Sequence, residues 1–172
     1  MKTISIAAAI LAGAAVLVAA PAFAGNTVGG TINLGLTVID ECTIDTDDLD
    51  FGTTGIVSTN VDTTADITIE CTKRTPYAIA LSAGDNATAG DVLTRKMKNA
   101  DNDLVNYQLY SDNFSTVWGK TVGTDTVDSA SAAGTLETHT IHARVPSHQN
   151  VPIGSYVDHV TATIWYADDA TP

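Results

Sequence analysis

Apolar and polar residues alternate along most of this chain. In "TVGGTINLGLTV" (27–38), Val28, Ile32, Leu34, Leu36 and Val38 share one face, and Gly30 is the sixth member. "TADITIEC" (64–71) places Ala65, Ile67, Ile69 and Cys71 on one side. "PYAIALSAG" does the same with Tyr77, Ile79 and Leu81, and Gly84-Asp85-Asn86 then supplies a turn. "VLTRKMK" puts Leu93 and Met97 on one side with Arg95 between them. "LVNYQLYSD" aligns Val105, Tyr107 and Leu109, and "THTIHARV" aligns Ile141, Ala143 and Val145. "SYVDHVTATIWY" closes the series with Tyr156, Val160, Ala162, Ile164 and Tyr166 set against Asp158. A period of two is the strand period. Thr, Val, Ile and Tyr dominate these runs, and Gly, Asn and Asp punctuate them. About seven short strands separated by turns predict an antiparallel β-sandwich. The Thr121–Gly134 stretch reads as a long surface loop.

Residues 1–24 stand outside that pattern. Lys2, an alanine-rich apolar run, Pro21 and Ala22-Phe23-Ala24 form a secretory signal, with cleavage expected between Ala24 and Gly25. The competing reading is a retained membrane anchor, for which the run is short. The mature chain from Gly25 is then of single-domain size.

Composition narrows the function. The precursor carries a net charge of -12, and loss of Lys2 makes the mature form more acidic by one. Phosphate binding needs a basic face, so the chain does not read as a nucleic-acid binder. Cys42 and Cys71 are the two cysteines. In an exported chain, with no histidine between them to suggest a metal, they read as a disulfide. The Asp45, Asp47, Asp48, Asp50 cluster has Asp50 and Ile56 where a calcium loop needs Gly and Glu, so it reads as a solvated acidic turn. His139, His142, His148 and His159 are scattered, and His139 and His142 point to opposite strand faces. No nucleophile elbow or phosphate loop is present. The chain does not read as an enzyme, and no metal or cofactor is expected. A carbohydrate-binding sandwich needs exposed aromatics, and aromatic residues are 6% of the chain.

Several motifs occur together. "LDFG" (49–52) follows the first cysteine, and "IECTKRTPYAIALSAG" (69–84) joins the second to a Pro-Tyr strand. "TRKMKN" (94–99), "LVNYQLYSD" (104–112), "VWG" (117–119) and "RVPSHQNVPIGSYVDHVTATIWY" (144–166) follow in order. The set resembles the spore coat protein U domain family, which includes subunits of archaic chaperone–usher pili. The resemblance covers nearly all of the mature chain. It implies an incomplete immunoglobulin-like β-sandwich, completed by a donated N-terminal strand from a neighbouring subunit. It also implies three partners: identical or homologous subunits forming a homopolymer, a periplasmic chaperone and an outer-membrane usher.

On that reading the domains are the signal (1–24), a donor strand (25–38) and a pilin-like sandwich (39–172). The donor face is Val28, Gly30, Ile32, Leu34, Leu36 and Val38, and the acceptor edge is Val160, Ala162, Ile164 and Tyr166. The bland alternative makes 27–38 the first strand of a closed domain, as in a non-fibrous coat or extracellular-matrix protein. The two roles could also share the segment near Val38 to Cys42. Tyr156 is expected to bond backbone through its hydroxyl, as at a sandwich corner. Trp118 and Trp165 are expected in the core or lining the groove. The tail "ADDATP" (167–172) departs from family members that end near the final tyrosine.

Overall fold

The computed structural model describes residues 25–166, so the signal (1–24) and the tail (167–172) lie outside the described residues. Among the described residues nine strands form, all paired antiparallel: β1 (Cys42–Thr46), β2 (Val61–Cys71), β3 (Tyr77–Leu81), β4 (Lys96–Lys98), β5 (Leu104–Asn106), β6 (Gln108–Tyr110), β7 (Val127–Ser129), β8 (Glu137–Val145) and β9 (Ala162–Tyr166). One sheet runs β1-β2-β8-β6, a second runs β7-β3-β9, and β4 and β5 make a hairpin. The fold is an all-β sandwich.

The two longest strands carry the clearest alternation. Ile67 and Ile69 of β2 are fully buried, and Ile141, Ala143 and Val145 of β8 share the inner face with them. Thr140 faces outward and donates to Asp66 at 2.7 Å. On the same outer face Arg144 makes a two-point contact with Asp62 at 2.7 and 2.8 Å. Such exposed pairs add little stability. The core closes on Trp118, which is fully buried and donates its indole N–H to the Ile79 carbonyl at 2.7 Å. Burial of a whole indole with its one donor satisfied gives large apolar gain at no polar cost.

Where the local pattern misleads, a polar group has found a partner elsewhere. The expected strand "VLTRKMK" is a short 3-10 turn over Val92–Thr94, followed by β4. Asp91 caps that turn by accepting from the Leu93 amide at 2.9 Å. Val92 is therefore inside and Leu93 is 68% exposed. Arg95, which the alternation sets between Leu93 and Met97, is only 1% exposed. Its guanidinium donates to the carbonyls of Leu81 and Ser82 and to Gln108 Oε1. Burial lowers its pKa to about 10. Neutral acceptors hold a buried cation here because they satisfy its fork of donors.

"LVNYQLYSD" keeps its inward face at Val105, Tyr107 and Leu109, but the ladder changes partner at Tyr107. β5 pairs with β4, β6 pairs with β8, and the Tyr107 amide donates to Arg95 O. The stretch Thr121–Gly134 is not all loop, since β7 pairs with β3 and Ala132 is buried. β3, the middle strand of its sheet, is buried along its whole length, Ala78 and Ala80 as well as Tyr77, Ile79 and Leu81. β1 carries no clear alternation, because Asp and Thr dilute its pattern.

Candidate functional site

The open edges of the two sheets define the site. β9 pairs with β3 through Leu81↔Ala162, Ile79↔Ile164 and Tyr77↔Tyr166, and no strand among the described residues pairs with its other side. β1 likewise ends its sheet, paired to β2 alone. The two edge strands lie beside one another. Cys42 and Ile44 of β1 and Ala162, Ile164 and Tyr166 of β9 pack against the core, yet all are only half-buried. Their neighbours Ile69 and Ile79 one strand further in are fully buried. An apolar row is thus partly wet because no strand covers it. A free edge of this kind carries unpaired backbone donors and acceptors as well.

Val160 lies outside β9, in the preceding irregular segment, and also packs half-buried on the core. The strand expected from Tyr156 onward begins only at Ala162. Asp158 is the reason. Its Oδ1 accepts from the Asp85 amide and from the Asn86 amide and side chain, and its Oδ2 accepts from Tyr107. A carboxylate turned inward to four donors holds the backbone away from a regular ladder. Trp165 faces outward on β9 and is 44% exposed, so it lines neither core nor groove. Period-two alternation from Ile164 puts it there.

Residues 25–41 form no helix or strand. Val28, Ile32, Leu34 and Leu36 are 97%, 83%, 93% and 89% exposed, and Val38 is 69% exposed. Apart from Gly30 and its two chain neighbours, no heavy atom of the described residues lies within 4 Å of the place a Cβ would occupy at Gly30. Among the described residues, the large side chains of the expected donor face are thus mostly exposed.

Cys42 and Cys71 are joined, with S–S 2.01 Å. They sit directly opposite each other in the β1–β2 ladder. The bond ties the outermost strand of its sheet to its only neighbour. Chain-entropy reasoning gives a loop of about 30 residues roughly 3.5 kcal/mol.

The other polar candidates are structural. Tyr156 donates to Pro152 O at 2.8 Å, the backbone bond expected of a sandwich-corner tyrosine. Asp45, Asp47, Asp48 and Asp50 are exposed, and Asp50 accepts from the Gly52 amide. His139 lies on the inner side of β8 within 3.1 Å of the Tyr77 hydroxyl, which also donates to Glu137 at 3.0 Å. Burial pushes the Tyr77 phenol up to about 12 and His139 down from its usual value. His142 lies on the outer side, against Phe114. No local pattern signals the Arg95 and Asp158 networks, because each joins residues distant along the chain.

Fold and edges together define an all-β sandwich with two free edge strands lying side by side and an exposed apolar N-terminal segment. The Spore Coat Protein U domain model matches residues 28–163, and the chain belongs to that family. It is 33% identical to Protein U of Myxococcus xanthus over 181 residues, which cover 96% of this chain and all of that protein. It also resembles a chain in the crystal structure of the CsuC–CsuE chaperone–tip adhesion subunit pre-assembly complex, from the archaic chaperone-usher Csu pili of Acinetobacter baumannii. That likeness has a TM-score of 0.56 at 22% identity, and spans 74% of this chain and 40% of that one.

Proposed function

We propose that this protein is a structural subunit of a surface pilus assembled by the chaperone–usher pathway through donor-strand exchange. The carrying observation is a pair of unmet needs in one chain. An alternating apolar segment is exposed along its length, and a half-buried apolar row lies along two free sheet edges. A strand added at that edge satisfies backbone groups and fills the row with alternate side chains. Burying Ile32, Leu34, Leu36 and Val38 contributes at most on the order of 6–12 kcal/mol of transfer free energy.

On this reading the chain is exported, held in the periplasm by a chaperone that covers the edge, and delivered to an outer-membrane usher. There Gly25–Val38 of one copy replaces the chaperone on another. The product is a homopolymer at the cell surface serving adhesion or biofilm formation. Its single sandwich suits a fibre shaft. The chemistry required is association only, so no catalytic role is assigned.

A second reading is a non-fibrous coat or matrix protein. The match to the Spore Coat Protein U domain model supports it, together with the full-length likeness to Protein U. One experiment separates the two. The chain is expressed with its periplasmic partners and run unboiled on a denaturing gel. Strand-exchanged subunits give a ladder that collapses on boiling. A single monomer band, with a folded chaperone-free monomer, defeats the pilus reading.

A further inference from the structure

The segment between Val38 and β1 is bound to its own domain in a way the alternation did not foretell. Ile39 O accepts from Thr72 Oγ1 at 3.0 Å. Asp40 Oδ1 accepts from Thr75 Oγ1 at 2.7 Å. Glu41 O accepts from the Thr72 amide at 2.8 Å. Three successive residues thus dock on one turn, and the Cys42–Cys71 bond follows at once.

The turn is itself well held. Its Thr75 amide donates to Thr72 O at 3.1 Å. Arg74 sits at φ 75, a left-handed conformation that a non-glycine residue adopts only when its surroundings demand it. The Arg74 amide donates to Ala132 O at 2.9 Å, and the Ala132 amide donates to Thr75 O at 2.8 Å. Thr75 is fully buried, so its hydroxyl needs an internal acceptor, and Asp40 supplies it. Asp40 is itself exposed. The attachment therefore uses backbone and hydroxyl groups, not apolar packing. The Ile39 side chain stays 71% exposed although its carbonyl is engaged.

We propose that Ile39–Glu41 act as a hydrogen-bonded collar that ends the donated segment at Val38 and fixes its root to the subunit's own 72–75 turn. The proposal rests on the strand-exchange reading and adds the limit of the segment given to a second copy. Fourteen residues, 25–38, remain free to be donated. Extended, they span at most about 48 Å. With a fixed root, no slack separates the donated strand from the subunit that donates it. Thr72, Thr75 and Asp40 are positioning residues, since they act on the strand through its root.

The test reads backbone order on the ps–ns timescale by ¹⁵N relaxation, using the labelled full mature chain in its pre-assembly form. In the wild type, order parameters are expected below about 0.6 through residue 36 and close to 0.85 from Asp40 onward. Thr75→Val with Thr72→Val keeps size and removes both hydroxyl donors. It should bring residues 39–41 below about 0.6 while β2 and β8 stay rigid. Asp40→Ala, at an exposed position, is the second variant and should act in the same direction, whereas Thr75→Ser should restore the wild-type profile. In the fibre, the double variant should still give the unboiled ladder, with persistence length in electron micrographs reduced at least twofold. Residues 39–41 as mobile as 28–36 in the wild type, or rigid in every variant, overturn the collar. Absence of any ladder in the wild type overturns the strand-exchange reading instead, whatever the relaxation data show.

Discussion

Tyr107 donates its hydroxyl hydrogen to Asp158 at 2.6 Å, joining the strand crossover between β5 and β6 to the segment that leads into β9. Burial and the adjacent carboxylate both raise the phenol's pKa, so Tyr107 stays a donor at any physiological pH. The other Asp158 oxygen holds the 84–86 turn. Gly84 is part of the same fit. It has φ +82, and a Cβ there would overlap the Asp158 carboxylate.

Asp158→Ala should therefore cost about 2–3 kcal/mol, because it strands the Tyr107 hydroxyl and removes charged hydrogen bonds. Tyr107→Phe should cost less, since the carboxylate keeps its amide donors. Gly84→Ala should cost at least as much as Asp158→Ala. Urea unfolding of the mature chain followed by tryptophan fluorescence measures all three. Equal midpoints for Asp158→Ala and wild type would show that the network contributes nothing.

His139 predicts an acid-sensitive stability. Burial beside Tyr77 disfavours its charged form and lowers its pKa below 6.5, while Glu137 opposes the shift without reversing it. The unfolded chain then binds more protons than the folded chain as pH falls below about 6.5. The stabilisation from neutral His139 is complete above that pH and is lost as pH drops through the folded value. His139→Gln should flatten the fall in stability that begins as pH drops below about 6.5. The loss below pH 4 should persist, because Asp62, held down by its bond to Arg144, and Asp112, held down by the amides of residues 115 and 116, act there. Thermal unfolding across that range measures the two regimes separately.

The sequence was readable where one strand face meets one core. Ile67, Ile69, Ile141, Ala143 and Val145 lie where the alternation puts them, because burial there depends only on strand period. The same rule fails at "VLTRKMK" and at Asp158. In each, a side chain binds a group many residues away, Arg95 to Ser82 and Asp158 to Asn86, and those contacts override the local pattern. Alternation also names no partner. It marks Tyr107 as inward but cannot show that the ladder changes neighbours there. For the same reason the Val28–Val38 face was legible as a strand-forming surface, while the strand it pairs with was not.

Reduction should act first on β1. The Cys42–Cys71 bond ties that edge strand to β2, so Cys42→Ser with Cys71→Ser should lower stability by about 3.5 kcal/mol. Hydrogen exchange should accelerate in 42–46 more than in β8, because among the described residues β1 is laddered to β2 alone while β8 is laddered to both β2 and β6. Uniform acceleration across both strands would contradict an edge-localised role.

The last prediction concerns the exposed face. Leu34 is 93% exposed, so Leu34→Asp should leave the isolated subunit within about 0.5 kcal/mol of wild type. If Leu34 enters a neighbour's core, the same change buries a charge there and should abolish the boiling-sensitive ladder. Gly30→Leu asks a finer question. Apart from its two chain neighbours, no heavy atom of the described residues lies within 4 Å of a Cβ placed at Gly30, so these residues give no steric reason for a glycine. Any requirement must come from the neighbour that receives it. A shallow place in the acceptor edge would make Gly30→Leu slow exchange at unchanged monomer stability. An in vitro strand-exchange time course measures this, and unchanged kinetics would mean that Gly30 is merely tolerated there.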